Sequence, residues 1–135
     1  MAAFNKFNAF VEHLAEGVHN LGSNQLVVAL TNTLPTSANS VLADITQIAY
    51  TNLSSRNVTT STSSQTGGTY SLVCNDLVLT ASGAVATFRY VVLYNDTPTS
   101  PADPLIGWYD YGSAVTLANA ETFTVDFGAN VLTVA

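Results

Sequence analysis

The sequence predicts a mainly β protein, an antiparallel β-sandwich of about seven to eight short strands with one N-terminal amphipathic α-helix. Short apolar runs recur at even spacing in the second half of the chain, and compact turn clusters separate them. Hydrophobic residues make up 47% of the chain, which argues against disorder. The 135 residues are sufficient for a single domain over 1–135 with its own core.

The N-terminal segment carries the helical pattern. Apolar residues recur every three or four positions between residues 3 and 21, which places them on one stripe of a helix. They are Phe4, Phe7, Phe10, Val11, Leu14, Val18 and Leu21. Gly22 is suited to cap the C-terminal end, whereas Gly17 weakens the interior. Residues 1–22 are therefore expected to form a helix that covers the domain or docks on a neighbour as an arm.

Residues 23–135 are expected to form the sandwich. A β-branched run at 25–31 predicts a buried strand, and 41–49 predicts one or two helical turns. The almost uncharged segment 51–69 is expected to be a long polar loop with one short strand near 56–60, and a candidate for partner contact.

Regular strand patterns follow from residue 70, and they are separated by turn signals that include 112–113. The predicted strands are 70–81, 87–95, 105–111, 121–127 and 131–134. Both faces of 87–95 are apolar, so this strand is either central or meets another subunit. Along 121–127, Phe123, Val125 and Phe127 are expected to point inward.

The charge content is unusually low. Three basic residues and nine carboxylates amount to 9% of the chain, against about 25% in an ordinary domain. A subunit that hides its surface in an assembly needs less charge than a lone monomer, which favours a homo-oligomer. A net charge of −6 argues against nucleic-acid binding. No apolar run approaches the ~18 residues of a membrane span, so no membrane association is expected.

No catalytic, cofactor or metal site is predicted. His13 and His19, six residues apart on the predicted helix, should point roughly 240° away from each other. Neither acidic loop residues nor Glu16 provide a spaced ligand set. Cys74 lies in an apolar run and is expected to be buried and inert.

Six residues are candidates for interfaces: Phe4, Phe7, Phe10, Arg56, Arg89 and Trp108. Arg89 lies within an apolar strand, where an unpaired charge is costly. It is expected to pair with Asp110 or Asp126, or with a neighbouring chain. Trp108 and the adjacent tyrosines favour either the core or an interface, with a sugar platform as the alternative.

Three runs, FRYVVLYNDT, DPLIGWYDYG and ETFTVDFGANVLTVA, together with the opening FNKFNAFVEHLAEGVHNLGSNQLVVALTNTLP, resemble small structural proteins of tailed bacteriophages. The resemblance spans most of the chain and is weakest over 37–68. It implies a virion component that is assembled in the host cytoplasm, without a catalytic motif.

The first expectation is therefore a capsid decoration (cement) protein. Such a protein binds the major capsid protein or other virion proteins on the outside of the head, and a trimer is favoured. The alternatives are a tail, baseplate or fibre-associated protein, or a carbohydrate- or receptor-binding module. An enzyme is the least favoured reading.

Overall fold

A computed structural model describes residues 2–135, which form ten β-strands, one α-helix and a single 3₁₀ turn. The strands are β1 (Phe4–Lys6), β2 (Leu26–Thr31), β3 (Asn57–Val58), β4 (Thr60–Thr66), β5 (Thr69–Cys74), β6 (Leu77–Thr80), β7 (Phe88–Asn95), β8 (Leu105–Val115), β9 (Thr122–Val125) and β10 (Leu132–Val134). The helix α1 spans Asn8–Ala15, and the 3₁₀ turn spans Leu42–Asp44.

The strands pair antiparallel in three sheets, which confirms the predicted β-sandwich-like class. A five-stranded sheet has the order β1-β8-β7-β2-β3, a second sheet has the order β10-β5-β4, and β6 pairs with β9. The main core lies between the large sheet and the two smaller ones, and it includes Leu30, Leu72, Phe88 and Phe123. The alternation predicted over 121–127, which contains β9, is confirmed, since Phe123, Val125 and Phe127 are buried.

The strand β7 is central, as its two apolar faces predicted. It lies between β8 and β2, and one of its faces contributes to the main core. The other face contributes Val92 and Tyr94 to a second cluster, which segment 32–56 covers with Ile45 and Leu42. Within this chain, therefore, both faces are already covered, and β7 needs no second subunit to bury them.

The helix is shorter than predicted, because Gly17 ends it rather than lying inside it. Gly17 adopts φ +78°, a left-handed conformation that glycine adopts without steric cost. Its N–H donates to the Leu14 carbonyl, and the N–H of Val18 donates to the His13 carbonyl. These two bonds form a Schellman motif. The predicted helix over 3–21, with Gly22 as its cap, is thus wrong at both ends, since residues 4–6 form the strand β1.

The predicted long polar loop over 51–69 is also wrong in its second half. Residues 60–74 form the hairpin β4–β5, in which Thr66 pairs with Thr69 across Gly67-Gly68. Both glycines have positive φ, the requirement of the tight turns that join two strands. The short strand expected near 56–60 exists as β3. Threonine-rich runs form strands readily, so β-propensity prevailed over polarity here.

One predicted turn is absent, because β8 continues through residues 112–113 as far as Val115. Gly112 has positive φ, and its N–H donates to the Asp110 carboxylate within the strand. Cys74 is buried as predicted, and burial raises the pKa of its thiol.

Candidate interaction surface

An apolar groove runs between α1 and the edge strand β10. It consists of two adjoining hollows of about 450 and 520 Å³, which share Leu14 and Val134 in their walls. Val11 on the helix is 50% exposed and Val134 on the strand is 41% exposed. The second hollow extends to Ser63 and Tyr70 of the β4–β5 hairpin. The groove therefore joins the N-terminal segment to the polar segment, the two regions from which partner contact was expected.

The strand β4 adds an open edge beside this groove. It lies at the end of the three-stranded sheet and pairs only with β5. Six of its seven residues are exposed, and none is charged. Natural proteins commonly protect such edges with charged residues, proline or a covering loop, because an unpaired edge offers backbone hydrogen bonds to another chain. This edge is suited to strand addition.

Two of the six candidate interface residues lie in the interior, so their prediction as contact residues is corrected. Phe7 is fully buried in the second cluster, and Phe10 is 4% exposed in the main core. The cause is the short strand β1, whose pairing with β8 carries the segment across the domain. Phe4 is half-buried; it packs on the ring of Tyr109 and borders the groove.

Arg56 is held within the chain. Its guanidinium donates to the Val28 carbonyl at 2.7 Å and lies 3.6 Å above the ring of Tyr50. These contacts tie the end of segment 32–56 to β2. Arg56 therefore acts as an internal clamp between segment 32–56 and β2. Its contact with a partner stays a prediction.

Arg89 pairs with Asp110, the first of the two carboxylates predicted for it. Its Nε and Nη2 atoms donate to the two carboxylate oxygens at 2.9 and 3.1 Å, which is a bidentate arrangement. The hydrogen bond from Arg89 and that from the Gly112 N–H lower the pKa of Asp110. The two side chains are 39% and 38% exposed, so the pair lies at the surface rather than inside the sheet.

Trp108 is half-buried, and its ring lies 4.7 Å from that of Phe7. It belongs to the rim of the second cluster. A sugar platform requires an open aromatic face, which Phe7 restricts on this side. The exposed aromatic of the same strand is Tyr111, at 55%.

His13 and His19 lie close together, contrary to the expectation that they point apart. Their ring centroids are 6.1 Å apart, because the Schellman motif turns the chain back after Ala15. His19 is 6% exposed, and its Nδ1 lies 3.0 Å from the amide nitrogen of Asn95. Burial, followed by the nearby His13, lowers the pKa of His19 to about 4. Across residues 2–135, no three metal-ligating side chains are grouped together.

Sequence patterns alone missed the groove and the β4 edge. The Gly67-Gly68 pair between threonine-rich runs was an available hairpin signal. The groove had no comparable signal, because it depends on β10 lying beside a helix more than a hundred residues earlier in the chain.

Comparisons with known proteins provide no family assignment. The chain matches no protein-family model, no curated protein and no solved structure. Among the helices of residues 2–135, none has the length and apolar character needed to cross a bilayer.

Proposed function

We propose that the protein is a phage capsid decoration (cement) protein, which binds the outer surface of the head and stabilises it. The observation that carries the proposal is the uncharged, open edge of β4 beside the apolar groove. The resemblance of the sequence to small virion proteins of tailed phages supports the same function. A chain with 9% charged residues is also suited to repeated contact with neighbours.

The proposed mechanism is physical rather than chemical. An exposed strand of the major capsid protein, or of another virion protein, pairs with β4, while an apolar side chain enters the groove. Each contact is modest. Many copies on a symmetric shell, each bridging neighbouring capsid subunits, add to its resistance to internal pressure because linked contacts reinforce one another. Oligomerisation of this protein, with a trimer favoured, would multiply the contacts per subunit.

The test adds purified protein to undecorated capsids and measures both binding and the temperature at which the shells open. We expect the protein to bind in high copy number and to raise the opening temperature. Replacing Thr62 and Ser64 together with lysine should abolish binding, because charged edge residues oppose strand addition. Both side chains are exposed, so the variant should remain folded.

A matched control carries two lysines in place of Ser113 and Ala114, exposed positions near the end of β8 in the other sheet. It should bind as the unmodified protein does. Failure of the unmodified protein to bind capsids would reject decoration. Recovery in a few copies per virion, with none on tail-less heads, would instead assign the protein to the tail, baseplate or fibre.

A further inference from the structure

The edge strand β4 has a regular part that is centred on Ser64. A bulge interrupts its pairing with β5 between Thr60 and Thr62, and the turn at Gly67-Gly68 ends the strand, so residues 62–66 form the regular edge. A bulge bends a strand and disrupts its ladder, which leaves only this stretch suited to pair with another strand. Any strand that adds to β4 must therefore pair within residues 62–66.

The free backbone groups of this stretch belong to Ser63 and Gln65. Thr66 and Thr69 flank a two-residue turn, so they exchange hydrogen bonds with each other, and antiparallel alternation gives every second residue before Thr66 to β5 as well. The N–H and C=O groups of Ser63 and Gln65 thus point away from the sheet. Across residues 2–135, no loop backbone bonds to them, and the hydrogen bonds of these two residues run through their side chains.

The side chains of the stretch are symmetric about the same centre. Thr62, Ser64 and Thr66 lie on one face, and their order reads the same in both directions. Antiparallel pairing of a strand with its own copy about a two-fold axis brings each residue against the one equally far beyond the axis. The register that joins Ser63 to Gln65 of the second copy places Thr62 against Thr66 and Ser64 against itself, and such hydroxyl pairs stabilise antiparallel strands.

The distribution of charge favours a second copy at this edge. The chain carries a net charge of −6, so two copies repel each other over most of their surfaces. The strands β4, β5 and β10, which make up the three-stranded sheet, contain no charged residue. Two anionic copies can therefore meet at the β4 edge without placing like charges opposite each other.

We propose that two copies of the free protein pair through β4, antiparallel and about a two-fold axis at Ser64. The contact is closed, because each copy uses its β4 edge once. It is therefore a different contact from the one that would build a trimer. The dimer follows from β4 alone. A further consequence rests on the proposed function: the second copy covers the edge until a capsid strand displaces it.

The test follows the oligomeric state by analytical ultracentrifugation and amide hydrogen exchange by NMR over a range of protein concentrations. We expect a monomer–dimer equilibrium. The Ser63 and Gln65 amides should exchange slowly only where the dimer predominates, since only the dimer supplies their acceptors. Fast exchange of both amides in the dimer would overturn the proposal, and so would a protein that stays monomeric at the concentration of the NMR sample.

Lysine substitutions locate the contact. Ser64→Lys places two ammonium groups on directly opposite residues, whose Cα atoms are about 4.5 Å apart, and should weaken the dimer by about a hundredfold. Thr133→Lys is the matched control, because Thr133 and Ser64 both pair with Ser71 and share its face, yet Thr133 lies exposed on the opposite edge strand. It should leave the dimer unchanged. An equal loss in both variants would show a general effect of charge and overturn the site.

Mixed variants test the register. Ser64→Lys and Ser64→Asp change an exposed side chain, so each variant should fold, and each alone should stay monomeric. Equal amounts of the two should form a heterodimer, because opposite charges then face each other across the axis. A mixture that stays monomeric would overturn the register about Ser64. Capsid binding without a dimer in solution would reject this dimer alone, whereas a dimer that binds no capsids would reject decoration alone.

Discussion

The imidazole of His19 is oriented by the side-chain amide of Asn95. That amide also donates to Asn24 at 2.9 Å, while its oxygen accepts from the Thr97 N–H. These two bonds fix which end of the Asn95 amide is the nitrogen. That nitrogen faces the imidazole, and because it can only donate, Nδ1 of His19 must accept. The ring therefore stays neutral, with its proton on Nε2, which has no hydrogen-bond partner among the described residues. A protonated ring would place an N–H against another donor.

This arrangement predicts loss of stability in mild acid. In the unfolded chain, His19 titrates near its ordinary pKa of about 6.5, whereas in the folded protein its pKa is about 4. The unfolded state thus takes up a proton first as the pH falls. The free energy of unfolding should decrease between pH 6.5 and 4 by on the order of 3 kcal/mol.

Urea denaturation at pH 7, 5.5 and 4 measures this change. His19→Gln keeps a hydrogen-bond acceptor for Asn95 but cannot titrate, so its stability should vary less across the same interval. The carboxylates contribute equally to both proteins, including Asp44, whose pKa is lowered chiefly by backbone hydrogen bonds. Identical pH profiles for the two proteins would contradict the role of His19.

At the scale of elements, the N-terminal segment is built into the domain rather than extended from it. The strand β1 pairs with β8, and the N–H of Phe7 donates to the Ile106 carbonyl at 3.2 Å. The aromatic side chains that suggested an arm instead fill both hydrophobic clusters. What this segment offers to a partner is limited to the exposed side of α1 around Val11 and to the border of the groove.

Replacing Phe7 with alanine distinguishes a segment that is part of the domain from a segment that extends as an arm. Phe7→Ala should lower the free energy of unfolding by about 3–5 kcal/mol, because it leaves a cavity in a fully buried site. Val11→Ala, on the exposed side of the same segment, should change it by less than about 0.5 kcal/mol. Denaturant titration measures both. A negligible effect of Phe7→Ala would show that the segment is a detachable arm.

At the scale of the whole molecule, the large sheet is covered on both faces by this chain alone. Leu42 and Ile45 of segment 32–56 cover the second face, whereas Ile48 and Tyr50 of the same segment pack against the main core. The segment is joined to β2 by hydrogen bonds. The Tyr50 hydroxyl accepts from the Leu30 N–H at 2.9 Å, and the Thr31 hydroxyl donates to the Thr46 carbonyl at 2.6 Å. With Arg56 as a clamp at the far end, the segment forms one cooperative unit on the sheet.

That unit should open separately when one of its attachments is removed. Tyr50→Phe leaves the Leu30 N–H without its acceptor, which costs about 1–3 kcal/mol. Amide hydrogen exchange should accelerate at Leu30 and Ile48, where the segment meets β2, and much less along β7. Mass-spectrometric or NMR exchange measures this pattern. Uniform acceleration across the molecule would show instead that the cover and the core unfold together.

The fold class and the central position of β7 were predictable because alternation and doubly apolar faces are visible within single strands. Asp110 was one of the two carboxylates predicted for Arg89, but the burial cost behind that prediction does not apply, since the two residues are 21 positions apart and their side chains are 39% and 38% exposed. The end of α1 was misplaced because its apolar spacing continues past Gly17 in the sequence. The groove depends on contacts between distant elements, which periodicity does not encode.

The open edge of β4 also affects the protein before it meets any partner. Two free copies present the same uncharged strand, and like edges can pair with each other as readily as with a foreign strand. Self-pairing outside the two-fold register grows with the square of the concentration, so a chain made in many copies, as the proposed function implies, would aggregate unless a partner bound it first. The serine and threonine side chains of β4 slow this aggregation, since they offer little apolar surface to bury. Rapid binding to a partner would then keep the protein soluble and would also supply the missing neighbour of β4.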